Sequence, residues 1–110
     1  MLKAKVQALN QKLDAAIETY KEISFIDPNH APSMTERANI YLLQSKPQWA
    51  ETFYQRALKA NPKYARAELG LARLSKMRKD NTGYLQHLDK ARLLDPFDED
   101  IQEEAKKAGK

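Results

Sequence analysis

Cysteine is absent from the 110 residues, which excludes disulfides and thiolate metal sites and leaves the redox compartment unreadable. Glycine is scarce: Gly70, Gly83 and Gly109 stand alone, so no glycine-rich loop is present to cradle a phosphate. That scarcity, with no run of β-branched residues, argues against a sandwich or barrel. Apolar runs are short, Ile40-Tyr41-Leu42-Leu43 being among the longest, far below the ~20 residues that span a bilayer. No membrane insertion is therefore expected. Lys3, Lys5, Gln7 and Asn10 break any apolar core after Met1, so no signal peptide is read. A piece cut from a longer protein would show the same absences, and the localisation stays open.

Catalytic groups are equally sparse. His30 and His87 are the two histidines, and neither sits in an H-E-x-x-H or similar metal spacing. His30 falls in a loop and His87 in mid-helix on the outer face, and both read as ordinary surface or packing residues. No serine has the G-x-S-x-G context of a nucleophile elbow. Asp98/Asp100 and Glu103/Glu104 read as a solvated helix face rather than an acid–base pair. The expectation is a protein that is not an enzyme, with no catalytic residue, no metal and no cofactor.

What is present is amphipathic and charged. Hydrophobic residues make up 42% and charged residues 31%, the balance of helices with one buried stripe and one solvated face. The net charge of +4 is unevenly spread. Residues 56–92 hold ten basic and three acidic side chains, and residues 93–110 hold three basic and six acidic. A basic middle followed by an acidic end points to a polar binding surface, an internal pairing, or both. Tyr64 and Tyr84 lie in or beside the basic stretch as stacking partners for a nucleic acid. The spread of the basic residues around the helices and the acidic end argue against that partner.

An internal period organises the chain. Asp27-Pro28, Asn61-Pro62 and Asp95-Pro96 recur at one constant spacing. On the same grid stand Ala4, Ala38 and Ala72; Ala16, Ala50 and Tyr84; Tyr20, Tyr54 and Leu88; and Ile23, Ala57 and Ala91. Small residues at fixed points let two helices approach closely, and large ones between them fill the remaining volume. The Asp/Asn-Pro pair stops a helix, because proline has no N–H and biases its predecessor away from the α region.

With these residues the sequence resembles the tetratricopeptide repeat family, whose unit is a 34-residue helix–turn–helix with a W-x2-L-G-x2-Y…A-x3-F…P pattern. In residues 31–64, Met34, Ala38, Tyr41, Ala50, Tyr54 and Pro62 take the places of that pattern, and Arg37 replaces its Leu. In residues 65–98, Leu71, Ala72, Ala91 and Pro96 match, while Glu68, Ser75 and Tyr84 stand where Trp, Tyr and Ala are usual. Ser75 and Tyr84 read as a compensating exchange of small for large. The resemblance implies an all-α fold of antiparallel helix–turn–helix repeats stacked in a right-handed α-solenoid. About seven helices are expected, at about 2–10, 14–26, 33–45, 48–60, 65–79, 82–94 and 98–108. The domain divides into an incomplete repeat (1–30), two repeats (31–64 and 65–98) and a C-terminal capping helix (98–110). Ser33-Met34-Thr35-Glu36 reads as a capping box, Asp14 and Asp98 as N-caps, Pro47 as a first-turn proline and Gly109 as a C-terminal stop. Trp49 reads as packed between neighbouring helices.

The family uses the first helix of each pair to line a concave groove. Carried over by position, that groove would hold Thr35, Glu36, Asn39, Leu42 and Leu43 in one unit and Arg66, Leu69, Gly70, Arg73, Lys76 and Met77 in the next. Within these, Asn39, Leu43, Arg66, Leu69, Arg73 and Met77 are the candidate partner-binding residues. Arginine offers forked donors to carboxylates, and Leu and Met offer adaptable apolar contact. The expected function is a non-catalytic scaffold that binds a protein's peptide or helix, acidic and apolar in character. The alternative is a self-associating module, a homo-oligomer in which a second copy covers the incomplete first unit. Family members that clamp the C-terminal carboxylate of heat-shock chaperones use Lys, Asn and Arg where this chain has Met1, Lys5, Glu36, Arg66 and Gly70, so that clamp is not expected. Asp100, Glu103 and Glu104 fall at the register of Arg66, Leu69 and Gly70 one unit on, which places acid beside the basic strip.

Overall fold

The computed structural model describes residues 2–109, with side chains described from Leu9 onward. Among the described residues it contains six helices: α1 (Leu2–Ile26), α2 (Ala31–Leu43), α3 (Pro47–Ala60), α4 (Ala65–Met77), α5 (Asn81–Leu94) and α6 (Glu99–Lys107). Two expected helices, at 2–10 and 14–26, are one continuous α1. The reason lies in the turn position. Gln11 stands one period before Ser45 and two before Lys79, but the stretch Asn10-Gln11-Lys12-Leu13 has neither the proline nor the glycine that would stop a helix. Asp14 is consequently not a cap; it lies inside α1, and its Oδ1 accepts a hydrogen bond from Gln44 Nε2 at 2.8 Å.

The other turns repeat in atomic detail. At each Asp/Asn-Pro pair the side chain folds forward onto the backbone: Asp27 Oδ1 accepts from Asn29 N at 3.2 Å, Asn61 Oδ1 from Lys63 N at 3.1 Å, and Asp95 Oδ1 from Phe97 N at 3.2 Å. This Asx-turn mimics a backbone turn. It explains why the motif is Asp or Asn before Pro rather than Pro alone. The turns within each hairpin close differently. Ser45 and Lys79 take the left-handed conformation, each at φ 60°. Lys46 N then donates to Tyr41 O at 2.8 Å, and Asp80 N to Ser75 O at 2.9 Å, the six-to-one bond of a Schellman motif. Helix starts follow the same period. Asp98 caps α6 by accepting from Asp100 N and Ile101 N, and Asp80 caps α5 through Gly83 N. His30, rather than Ser33, caps α2: its Nδ1 accepts from Ser33 N at 3.2 Å, while Ser33 Oγ donates to His30 O. Pro47 opens α3 as its first residue.

Helix α2 pairs most extensively with α3, and α4 with α5; α1 leans on α2, α3 on α4, and α6 on α5. The grid residues make the core. Ala38, Ala50, Tyr54, Ala57, Ala72, Leu88 and Ala91 are fully buried. Tyr84 is buried with Leu69, Leu88 and Ile101 in the core of the α4/α5 pair, the large residue of the expected exchange with Ser75. Tyr54 is the bulkiest fully buried side chain, and such a group contributes about 1.5–3 kcal/mol by leaving water. Its ring requires the missing side chain at Gly70, since a β-carbon there would overlap the ring. Trp49 departs from expectation. It meets Tyr41 edge-on at 5.5 Å but keeps 58% of its surface exposed, on the wall of a cavity of about 450 Å³ that it lines with Asp14, Ile17 and Glu18 of α1.

Candidate functional site

Helices α2 and α4 are the first members of successive hairpins and touch each other directly, so their free faces adjoin. Asn39 and Leu43 lie on α2; Arg66, Leu69, Arg73 and Met77 lie on α4. Leu43 is 72% exposed and Met77 55%, at equivalent positions of successive repeats. Asn39 is half-buried, and its Oδ1 accepts a hydrogen bond from the Tyr54 hydroxyl. Leu69 is the exception: at 2% exposure it sits in the core with Ala65, Tyr84, Leu88 and Ile101. Its register matches the groove, but α6 closes over it, and it presents no surface to a partner. Thr35 is likewise buried.

The two arginines are half-exposed and already hold carboxylates. Arg66 Nε lies 3.0 Å from Asp98 Oδ2, and its Nη1 lies 3.0 Å from Asp100 Oδ2. Arg73 Nε lies 3.5 Å from Glu104 Oε1, and Lys76 Nζ lies 3.5 Å from Glu104 Oε2. The acidic end of the chain therefore lies along the basic strip, as the register anticipates. What sequence reasoning missed is that Glu104 is a buried anchor. It is 6% exposed and also accepts from the Tyr84 hydroxyl at 2.7 Å. Burial alone would raise the pKa of its carboxyl, but the Tyr84 hydroxyl, Lys76, Arg73 and Lys107 together hold it below the usual range. Tyr84 responds in the opposite sense: burial, then the hydrogen bond and charge of Glu104, push its hydroxyl up to about 12. An apolar residue at position 101 within a run of acids was the only sequence signal that one acid turns inward.

Between the hairpins, Tyr54 reports the local field. Burial raises the pKa of its hydroxyl above the ordinary phenol range, Arg73 acts against this, and Glu36 adds to it. The Tyr54 hydroxyl thus lies in the field of an acid on α2, Glu36, and of a cation on α4, Arg73. Beyond Met77 the strip continues into a cleft of about 550 Å³ beside α6, where Lys76, Lys79 and Lys107 stand around Tyr84 and Leu85. The arrangement offers forked cations, an amide and two exposed apolar side chains. His87, expected on the outer face, is instead paired through Nδ1 to Glu68 Oε2 at 2.7 Å; Glu68 is buried where the family pattern has an aromatic. Met1 and the side chain of Lys5 lie outside the described residues.

No family model matches the sequence, and no curated protein matches it. Among solved structures, the chain is similar to one described as the first TPR of Spaghetti (RPAP3) bound to the HSP90 peptide SRMEEVD. The likeness has a TM-score of 0.76 at 22% identity and covers 96% of this chain and 83% of that one. Six helices, no strand among the described residues, hairpins paired on one repeating grid and this structural neighbour agree: the chain has a tetratricopeptide-repeat-like fold.

Proposed function

We propose that this chain is a non-catalytic protein-interaction module that holds a peptide or helix along the surface of α2 and α4. In this reading the chain divides into an incomplete repeat (1–30), two repeats (31–64 and 65–98) and a capping helix (98–110), and the two repeats supply the groove. One observation carries the proposal. Leu43 and Met77 are large apolar side chains left exposed at equivalent places on the first helices of successive repeats, and α4 also carries the half-exposed cations Arg66 and Arg73, the latter one turn before Met77. Large exposed apolar groups beside forked donors suit a segment that is apolar and acidic. The contacts of α6 support the preference for acid, since carboxylates already find these arginines within the molecule. Asn39, half-buried beside them, adds an amide whose free donors can hold a partner's backbone. Leu69 is left out of the set because it is buried.

The structural neighbour is bound to the peptide SRMEEVD, and the shared fold makes a peptide ligand a natural candidate here. Glu36 stands in the groove, however, where a clamp for a terminal carboxylate needs a neutral or basic residue. This reading therefore favours acidic side chains within a segment over a free carboxyl terminus. The test is selection of peptides from a random displayed library on the intact chain, followed by titration of the winners against an Arg66→Glu/Arg73→Glu variant. The selected peptides should be enriched in acidic and apolar residues and lose at least tenfold in affinity. Retention of every selected peptide by the variant contradicts the arginine assignment.

A further inference from the structure

Three lysines from three places in the fold line the cleft of about 550 Å³ beside α6. Lys76 comes from the last turn of α4 and Lys107 from the last turn of α6. Helix C-termini favour cations, so these two have a local reason to be basic. Lys79 has no such reason. It lies outside any helix, in the left-handed turn between α4 and α5, and makes no ion pair among the described residues. The neighbouring acids turn elsewhere. Asp80 Oδ1 folds back to accept from Gly83 N at 3.0 Å, and neither Asp80 nor Glu103 lines the cleft.

The repeat itself does not require these cations. One period earlier, the places of Lys76 and Lys79 hold Leu42 and Ser45, and those of Tyr84 and Leu85 hold Ala50 and Glu51. Tyr84 and Leu85 give the cleft an apolar wall, along which lysine stems can lie while their charged ends stay in water. Lys76 Nζ stands 5.4 Å from the centre of the Tyr84 ring. One carboxylate answers the three lysines: Glu104 Oε2 lies 3.5 Å from Lys76 Nζ, and Glu104 also holds Arg73. Three ammonium groups against one carboxylate leave an excess of two positive charges at the cleft. A partner's carboxylate would balance one of them. A phosphoryl group, at about −1.5 to −2 near neutral pH, balances both.

We propose that the cleft is a subsite for a phosphorylated side chain of the segment held along α2 and α4. The inference rests on the groove reading and on continuity with it. Lys76 directly precedes Met77 in α4, and Glu104 bridges Arg73 to Lys76, so groove and cleft share one strip of that helix. A phosphoserine or phosphothreonine beside the apolar residue that covers Met77 brings its oxygens to Lys76, Lys79 and Lys107. The same continuity favours a peptide over a lipid headgroup, because the cleft is set between α4, α5 and α6 at the end of a helical strip.

Twin peptides test the subsite on the intact chain. A library with one fixed phosphoserine and random neighbours is selected, and each winner is remade with plain serine. The phosphorylated twin should bind about tenfold or more tightly. Lys79→Gly/Lys107→Gln should bring that ratio close to one. Lys79→Gly alone should lower the ratio while relief of the left-handed turn stabilises the fold, so the loss cannot come from unfolding. Lys59→Gln/Lys63→Gln removes the same charge around the end of α3 and should keep the ratio. Arg66→Glu/Arg73→Glu should weaken both twins, which reads the groove separately: with that weakening intact, a failed ratio sinks the cleft alone. Equal affinity of the twins, a ratio that survives Lys79→Gly/Lys107→Gln, or a ratio lost as fully in the Lys59→Gln/Lys63→Gln control overturns the proposal. So does binding to phosphoinositide-bearing vesicles with no preference between the twins.

Discussion

The ring of Tyr54 on α3 fills the space that a β-carbon on Gly70 of α4 would occupy. The contact joins one hairpin to the next and is locked by the hydrogen bond from the Tyr54 hydroxyl to Asn39 on α2. Three helices thus meet at one phenol ring, beneath the surface that carries Arg73 and Asn39.

Gly70→Ala tests this relationship because two effects oppose each other. Helix propensity alone favours alanine by about 1 kcal/mol. Forcing a methyl group into an occupied core costs about 1–3 kcal/mol, and here it strikes a ring with no free space. The expected outcome is net destabilisation in urea unfolding. The Tyr54→Phe variant should lose about 1 kcal/mol through the Asn39 hydrogen bond.

Much of this was legible in the sequence. The Asp/Asn-Pro grid and its alanines located the hairpins, because small residues and helix stops act locally and repeat. The straight α1 was not legible from the grid: periodicity implies a turn at Gln11, but only the want of a breaker there reveals the continuous helix. Leu69 shares a register with exposed groove residues, and its burial depends on α6, a long-range contact that one-dimensional spacing does not encode. The same holds for Glu104, which reads as one acid of a solvated run and is buried because Ile101 pulls that face of α6 inward. Exposure of Trp49 likewise depends on the cavity it shares with residues of α1, which spacing along the chain does not encode.

The docking of α6 should depend on pH through Glu104. Its carboxyl is held below the ordinary value of 4.5 in the folded chain. Its contribution is therefore fully present above about pH 4.5 and is lost as pH falls through the lower folded value. Glu104→Gln should cost about 1–3 kcal/mol at pH 7, and the gap between variant and parent should close in strongly acidic solution. Urea midpoints at several pH values check both statements. An unchanged gap at low pH would mean the carboxylate's charge is not what anchors the helix.

The left-handed turns offer a gain in stability. Ser45 and Lys79 each adopt φ 60°, which costs a residue with a β-carbon roughly 1–2 kcal/mol. Ser45→Gly or Lys79→Gly should raise the thermal midpoint, after the greater unfolded-state entropy of glycine removes part of the benefit. Gln11→Gly should not raise it, since Gln11 lies inside a continuous helix.

Removing residues 98–110 should expose more apolar surface than it frees charge. Leu69 and Tyr84 lose the cover of Ile101, whereas the Arg66 pairs with Asp98 and Asp100 are half-exposed at the arginine and worth only about 0–1 kcal/mol each. The truncated chain should bind a dye specific for apolar surface more strongly than an Asp98→Asn/Asp100→Asn chain and unfold at a lower temperature. Equal behaviour of the two would place the cap's contribution in its charges.

The central claim is that a partner lies along α2 and α4, and the most direct test is to map where a peptide touches. An acidic, apolar peptide selected on the intact chain is titrated into isotope-labelled protein while backbone amide shifts are followed. The account predicts the largest changes at Asn39, Leu43, Arg66, Arg73 and Met77, with small changes in α3 and α5. Changes centred on Trp49 or Leu93, with the residues of α2 and α4 unmoved, would contradict it.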